Sequence, residues 1–123
     1  MTALAKDIMG GGFSAAGAQA INGQFAIAVS AAGSTISDAT QLKATNNRVS
    51  TVASGTGVML YDGVIGDTIF VYNSGANALK IYPPTSSQTI NQLSAGGAMT
   101  LATNTAVMLK KFSSTAWIGF LSA

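Results

Sequence analysis

The feature that most constrains this fold is an alternation of side chains with a period of two, which begins at Gln24 and recurs along the chain. In "QFAIAVS", Phe25, Ile27 and Val29 alternate with smaller or polar residues. A period of two places successive side chains on opposite faces of an extended strand. No comparable helical period appears in this part of the chain, and we therefore expect it to fold from β-strands alone.

Gly, Pro, Asn and Ser residues divide the alternating region into about ten short segments, spaced roughly 8–12 residues apart. That spacing is typical of β-sandwiches and barrels. We predict an all-β fold, an antiparallel β-sandwich or jelly-roll-like barrel of about ten short strands. The predicted strands are residues 24–30, 40–45, 48–53, 57–62, 67–73, 78–83, 88–91, 98–103, 106–112 and 116–122.

Residues 1–23 have a different composition, rich in Ala and Gly, with three consecutive glycines at 10–12. A run of glycines interrupts regular structure. We predict a flexible N-terminal arm over residues 1–23 and one β-domain over residues 24–123. The large apolar side chains that we expect the arm to use as anchors for a partner are Leu4, Ile8, Met9 and Phe13.

Three connections have recognisable turn chemistry. Asparagines at 46–47 are expected to join two strands, and Asn-Ser-Gly at 73–75 is expected to close a hairpin. The prolines at 83–84 lack the N–H groups that a sheet needs, so strand pairing should end there. We expect the chain to change sheets at this corner.

Several predicted strands are apolar on both faces. In "TIFVY", Ile69 and Val71 face one way, and Phe70 and Tyr72 face the other. One buried face is enough for an antiparallel sheet in a monomer. The second face needs another cover, and self-association supplies one. The candidate interface residues are Phe70, Tyr72, Tyr82 and Trp117.

Composition removes most catalytic chemistry. The chain of 123 residues contains no Cys, no His and no Glu, and only 8% of its residues are charged. A hydrolytic triad therefore lacks its usual base, and thiol chemistry is excluded. A Ser–Lys dyad would need Lys80, Lys110 or Lys111, but no local motif supports one. We predict neither an enzyme nor a cofactor.

Asp62 and Asp67 flank a short Gly-containing connection. Two carboxylates so placed are typical either of a metal or acid–base pair or of turn chemistry, and we favour turns and no metal.

The larger aromatic residues have two interpretations as well, a sugar-stacking platform or packing in the core and interface. We favour packing for all four, which are Tyr61, Tyr72, Tyr82 and Trp117.

The basic residues are scattered, and the one adjacent pair, Lys110 and Lys111, is interpreted as a solvated strand end. Nucleic-acid binding needs clustered Lys and Arg, so we expect none. No apolar run approaches the roughly 18 residues of a membrane span, and the first residues lack the apolar stretch of a secretory signal. We expect no membrane partner and no export by that route.

The second half of the chain resembles a pattern found in small virion proteins of tailed bacteriophages. Its parts are a Gly-Asp strand start, "NSGANAL", "IYPP", a polar loop, "TIN", a Gly/Ala-rich turn and a final Trp strand. The resemblance covers residues 66–123. The matching positions are Gly66, Asp67, Asn73, Asn77, Ala78, Leu79, Tyr82, Pro83, Pro84, Ile90, Asn91 and Trp117.

The resemblance implies a structural protein of the virion, with no catalytic residues. We expect a capsid decoration or cement protein, a homotrimer that binds the major capsid protein and stabilises the assembled head. It would be located on the capsid surface of a virion assembled in the host cytoplasm. The alternative is a tail fibre or spike domain that binds host surface glycans.

Overall fold

The computed structural model of the chain describes residues 24–122, which form ten β-strands and no helix. The all-β prediction is confirmed, and each predicted strand overlaps an observed one. The strands are β1 (Phe25–Ser30), β2 (Thr40–Gln41), β3 (Asn46–Thr51), β4 (Gly57–Met59), β5 (Thr68–Asn73), β6 (Leu79–Tyr82), β7 (Thr89–Ile90), β8 (Met99–Leu101), β9 (Thr105–Lys111) and β10 (Ala116–Leu121).

The strands form two sheets. The six-stranded sheet has the order β1-β3-β5-β9-β10-β7, and the four-stranded sheet has the order β2-β4-β6-β8. From β1 to β6 the chain alternates between the sheets, and strands that follow each other within one sheet are parallel. Phe25 pairs with Asn46, and Asn46 pairs with Phe70, so each turn takes about 21–24 residues. This path is a two-sheet β-solenoid.

The antiparallel sandwich or jelly-roll prediction is therefore wrong for the first six strands. The turn predicted at 46–47 and the hairpin predicted at 73–75 are also wrong: the first pair lies inside β3, and the second segment leads from the six-stranded to the four-stranded sheet. A period of two specifies which face a side chain occupies. It does not specify which strand lies alongside.

The last strands close the solenoid with antiparallel pairs. β8 pairs with β6, β9 with β5, and β10 with β9, while the short β7 runs parallel to β10. β6 belongs to the four-stranded sheet and β7 to the six-stranded sheet, so the chain does change sheets at the prolines 83–84, as predicted. Antiparallel pairing thus holds for the C-terminal end of the domain.

One apolar core lies between the sheets. The fully buried side chains include Val49, Val58, Leu60, Ile69, Val71, Leu79, Ile81, Ile90, Leu101, Leu109 and Trp117. Buried Asn73 holds the corner after β5: its Nδ2 donates to the carbonyls of Asn77 (2.9 Å) and Leu101 (3.0 Å), and its Oδ1 accepts from the Gly75 N–H (2.9 Å). A polar side chain is stable there because these bonds satisfy it.

Candidate interaction surface

The strand registers align apolar side chains across the outside of the six-stranded sheet. One row of paired residues runs across five strands, from β1 to β10. This central row consists of Phe25, Asn46, Phe70, Met108 and Phe120. Its neighbours along each strand point inward, so the row lies on the face that the core does not cover.

Two flanking rows border the central row. On one side Tyr72 pairs with both Arg48 and Ala106. On the other side Lys110 pairs with both Thr68 and Ile118. We use the name apolar outer face for the apolar side chains of these three rows and β1, namely Phe25, Ile27, Phe70, Tyr72, Met108, Ile118 and Phe120.

The large side chains of the apolar outer face are open to solvent. Phe25 is 62% exposed, Ile27 68%, Phe70 42% and Phe120 49%. Towards β1 the face is concave and forms a groove of ≈ 450 Å³. The groove is lined by Phe25, Ile27, Asn46, Asn47, Arg48, Phe70 and Tyr72. A groove with mainly apolar walls suits an apolar or aromatic partner.

The cations that flank this face are bound within the chain. Arg48 donates from Nε to Ser74 Oγ (3.0 Å). Lys110 donates from Nζ to the Gly66 carbonyl (3.1 Å) and to Thr68 Oγ1 (3.2 Å). Both charges lie outside the central row, so the centre of the face carries no charge.

The outside of the four-stranded sheet has a different character. Gln41 and Thr100 are exposed there, and Lys80, which pairs with Thr100, is partly exposed. Tyr82 lies over Gly57, where a Cβ would come 2.9 Å from the tyrosine ring. An apolar exterior is therefore a property of one sheet, and it does not follow from the low charge of the whole chain.

The interface residues predicted from sequence separate into two pairs. Phe70 and Tyr72 lie on the apolar outer face, as expected. Trp117 is fully buried and donates from Nε1 to Gln88 Oε1 (2.8 Å), and Tyr82 is buried and donates from its hydroxyl to the Ser34 carbonyl (3.0 Å). Trp117 belongs to the core, and Tyr82 is buried against Gly57 on the outside of the four-stranded sheet, so we remove both from the interface candidates.

The same burial rules out the sugar-stacking platform made from the four aromatic residues considered in the sequence, because Tyr82 and Trp117 are buried. Sequence analysis also missed Phe25, Met108 and Phe120. The signal was present, since each occupies a position of the alternating pattern. Their common row follows from the parallel pairing of β1, β3 and β5 and the antiparallel pairing of β5, β9 and β10, which the pattern does not show.

Lys111 forms a polar cluster at the end of the inner face. Its buried Nζ donates to Asp62 Oδ1 (3.0 Å) and to the Gly63 carbonyl (2.7 Å), and lies 5.9 Å from the centre of the Trp117 ring. Hydrogen bonds from Gln88 and Lys111 hold the pKa of Asp62 below its usual value. The expected solvated strand end is thus wrong for Lys111. The cluster connects β9 and β10 to two loops.

The two acidic residues predicted to form turns have different roles. Asp67 accepts from the Val64 N–H (3.0 Å), which confirms a turn, whereas Asp62 pairs with Lys111. Among residues 24–122, no three His, Cys, Asp or Glu side chains are grouped to hold a metal ion. Within the same residues, no helix is long and apolar enough to span a membrane.

The predicted arm, including Leu4, Ile8, Met9 and Phe13, lies outside the described residues. No family model, curated protein or solved structure matches the chain.

Proposed function

We propose that this chain is a structural protein of a bacteriophage virion, a capsid decoration or cement protein that binds the assembled head. The observation that carries the proposal is the apolar outer face, whose large side chains are exposed on β1, β5 and β10. A contiguous apolar patch of this kind is typical of an association surface. The resemblance of residues 66–123 to small phage virion proteins supports a virion as the assembly that this surface belongs to.

The proposed mechanism is stabilisation by mass action. A protein that binds the assembled shell, but not its separated subunits, lowers the free energy of the assembled state. We propose that the chain acts as a homotrimer on the capsid surface and that its arm contacts the major capsid protein. The arm side chains proposed for that contact are Leu4, Ile8, Met9 and Phe13.

Co-sedimentation with purified heads that lack this protein tests the proposal. We expect the full chain to sediment with heads but not with unassembled capsid protein, and bound heads to resist thermal opening. Because the arm anchors are proposed to make the contact, replacing Leu4 and Phe13 by Ser should weaken binding, whereas Val64→Ser, an exposed loop substitution, should not. Absence of binding to heads would contradict this function, whereas equal binding by all variants would contradict only the contact through the arm.

One observation favours a second candidate, a tail fibre or spike module that binds glycans. The groove combines the rings of Phe25, Phe70 and Tyr72 with the polar side chains of Asn46 and Arg48. Aromatic faces stack on sugar rings, and polar groups at the edge then orient the ligand. Binding to a glycan array that is lost in Tyr72→Ala, without any binding to heads, would favour this function.

A further inference from the structure

We propose that the apolar outer face is covered by a second copy of this chain. This inference deepens the assembly role proposed above and rests on it for its biological context. Its test needs no heads, so the two proposals can fail separately.

The face is too large for a small ligand and suits a macromolecule. Adjacent strands lie about 4.8 Å apart, so five strands span roughly 19 Å. An aromatic side chain has about 150–250 Å² of surface. With the exposed fractions of Phe25, Ile27, Phe70, Tyr72 and Phe120, these five side chains leave roughly 400–600 Å² open.

That area reaches the upper end of what monomers expose, which is about 300–600 Å² for the largest patch. A standard protein interface buries about 800 Å² per partner. Met108, Ile118 and the flanking polar residues supply much of the remaining area, because both named side chains are partly exposed on the same face. The face is therefore large enough for a stable contact.

The charges indicate an apolar partner. No carboxylate lies in the three rows of the face, and its two cations, Arg48 and Lys110, are hydrogen-bonded within the chain. An acidic partner would gain little binding energy from cations that already form hydrogen bonds within the chain. Copies arranged around a common axis, with their central rows facing that axis, would bury uncharged side chains and leave the cations at the edge, which is the usual arrangement of a protein interface.

A second copy fits this chemistry better than the arm of the same chain. Among many Ala and Gly residues, residues 1–23 offer few large anchors, namely Leu4, Ile8, Met9, Phe13 and Ile21. Another apolar outer face offers seven apolar side chains in the rigid spacing of a sheet. Such a contact is preorganised, so less conformational entropy is lost on association.

Native mass spectrometry and sedimentation of the full chain at low micromolar concentration test the inference. We expect an oligomer, with the mass of three chains. Phe70→Lys and Phe120→Lys each place a charge in the central row, and we expect each to weaken association about tenfold or more. Val64→Lys is the matched control: Val64 is 72% exposed in a loop outside the face, so association should be unchanged.

Circular dichroism shows whether each variant is folded. If the Phe70 variant does not fold, Phe25→Lys on the edge strand β1 replaces it, since that side chain is 62% exposed. An unchanged oligomer in the face variants, or dissociation of the Val64 variant as well, would overturn the proposal. A monomeric wild-type chain would overturn the proposal as well. This holds if the monomer binds a hydrophobic dye, and also if it excludes the dye because residues 1–23 cover the face. An intact oligomer that fails to bind heads would remove the capsid function alone.

Discussion

The two faces of the six-stranded sheet are made by the same strands, and both are apolar, yet only one is covered. On β5, Ile69 and Val71 point inward and are fully buried, while Phe70 and Tyr72 point outward and remain about 40% exposed. The inner face packs against the four-stranded sheet. A strand that is apolar on both sides thus has one face covered within the chain and a second face that is open to a partner.

The four-stranded sheet has a polar exterior in the same chain. Its outward positions include Gln41, Lys80 and Thr100, which are stable in water. If the apolar outer face had no partner, substitutions on it should have the same effects as substitutions on this polar exterior. One inner and one outer residue of the same strand therefore form a matched pair. Substitutions in each pair test whether the two faces differ in their contribution to stability as well as in their position.

The largest expected effect comes from two aromatic residues on β10. Trp117 is fully buried on the inner face, and Phe120 is 49% exposed on the outer face. We expect Trp117→Ala to lower the free energy of unfolding by about 3–5 kcal/mol, because it leaves a cavity and removes the partner of Gln88. Phe120→Ala should cost less than about 1 kcal/mol in folding and act on association instead.

Urea unfolding at one fixed protein concentration measures both variants of this pair, since oligomerisation makes stability depend on concentration. Equal losses of unfolding free energy would show that the outer face is as tightly packed as the core, and would remove the contrast between the two faces.

The second pair lies at the end of β5. Asn73 is fully buried and makes three side-chain hydrogen bonds, whereas the adjacent Tyr72 is exposed on the outer face. We expect Asn73→Ala to cost about 2–3 kcal/mol, because the buried carbonyl of Leu101 and the buried N–H of Gly75 lose their partner. Tyr72→Ala should change the unfolding midpoint little. A tolerated Asn73→Ala would mean that water replaces the lost bonds at this corner.

Asn73 also shows the limit of prediction from the sequence. The strands were predictable because alternation and turn residues are local properties, and all ten appear where they were expected. The segment 73–75 has the composition of a hairpin turn, but Asn73 uses its amide to stabilise a crossing between sheets. Parallel pairing depends on contacts between residues about 21–24 positions apart, which no local pattern specifies.

The candidate surface was predictable in part for a related reason. Alternation shows that β5 has two apolar faces, but it does not show which face a second sheet covers. Trp117 and Phe120 are both aromatic residues in an alternating strand, yet one is buried and the other exposed. The difference follows from the packing of the four-stranded sheet, which is a tertiary property.

The third pair consists of adjacent lysines on β9. Lys111 points inward and is bound to Asp62 and Gly63, and Lys110 points outward with two weaker contacts near the surface. We expect Lys111→Met to cost about 1–2 kcal/mol through the loss of charged hydrogen bonds, and Lys110→Met to cost about 0–0.5 kcal/mol. Thermal unfolding at neutral pH compares them. A larger loss from Lys110→Met would show that the outer cation stabilises the sheet more than the inner one.

The smallest expected effect is the pH dependence of the inner cluster. Hydrogen bonds from Gln88 and then from Lys111 lower the pKa of Asp62 in the folded chain. A carboxyl whose pKa is lower when folded stabilises the protein above its unfolded pKa of about 4, and this contribution disappears as the pH falls through the folded pKa. Stability should therefore decline gently below about pH 5, and Asp62→Asn should flatten that decline.

Asp38 provides the control for this last prediction, because it lies in the loop before β2 and contacts neither face. Hydrogen bonds from the Thr35 backbone, and then from its hydroxyl, lower the pKa of Asp38 as well, so Asp38→Asn should remove a separate part of the decline. If the clusters are independent, the two effects add in the double variant. Urea midpoints between pH 3 and 6 measure them, and an unchanged slope in Asp62→Asn would show that the Lys111 contact does not depend on the charge of its partner.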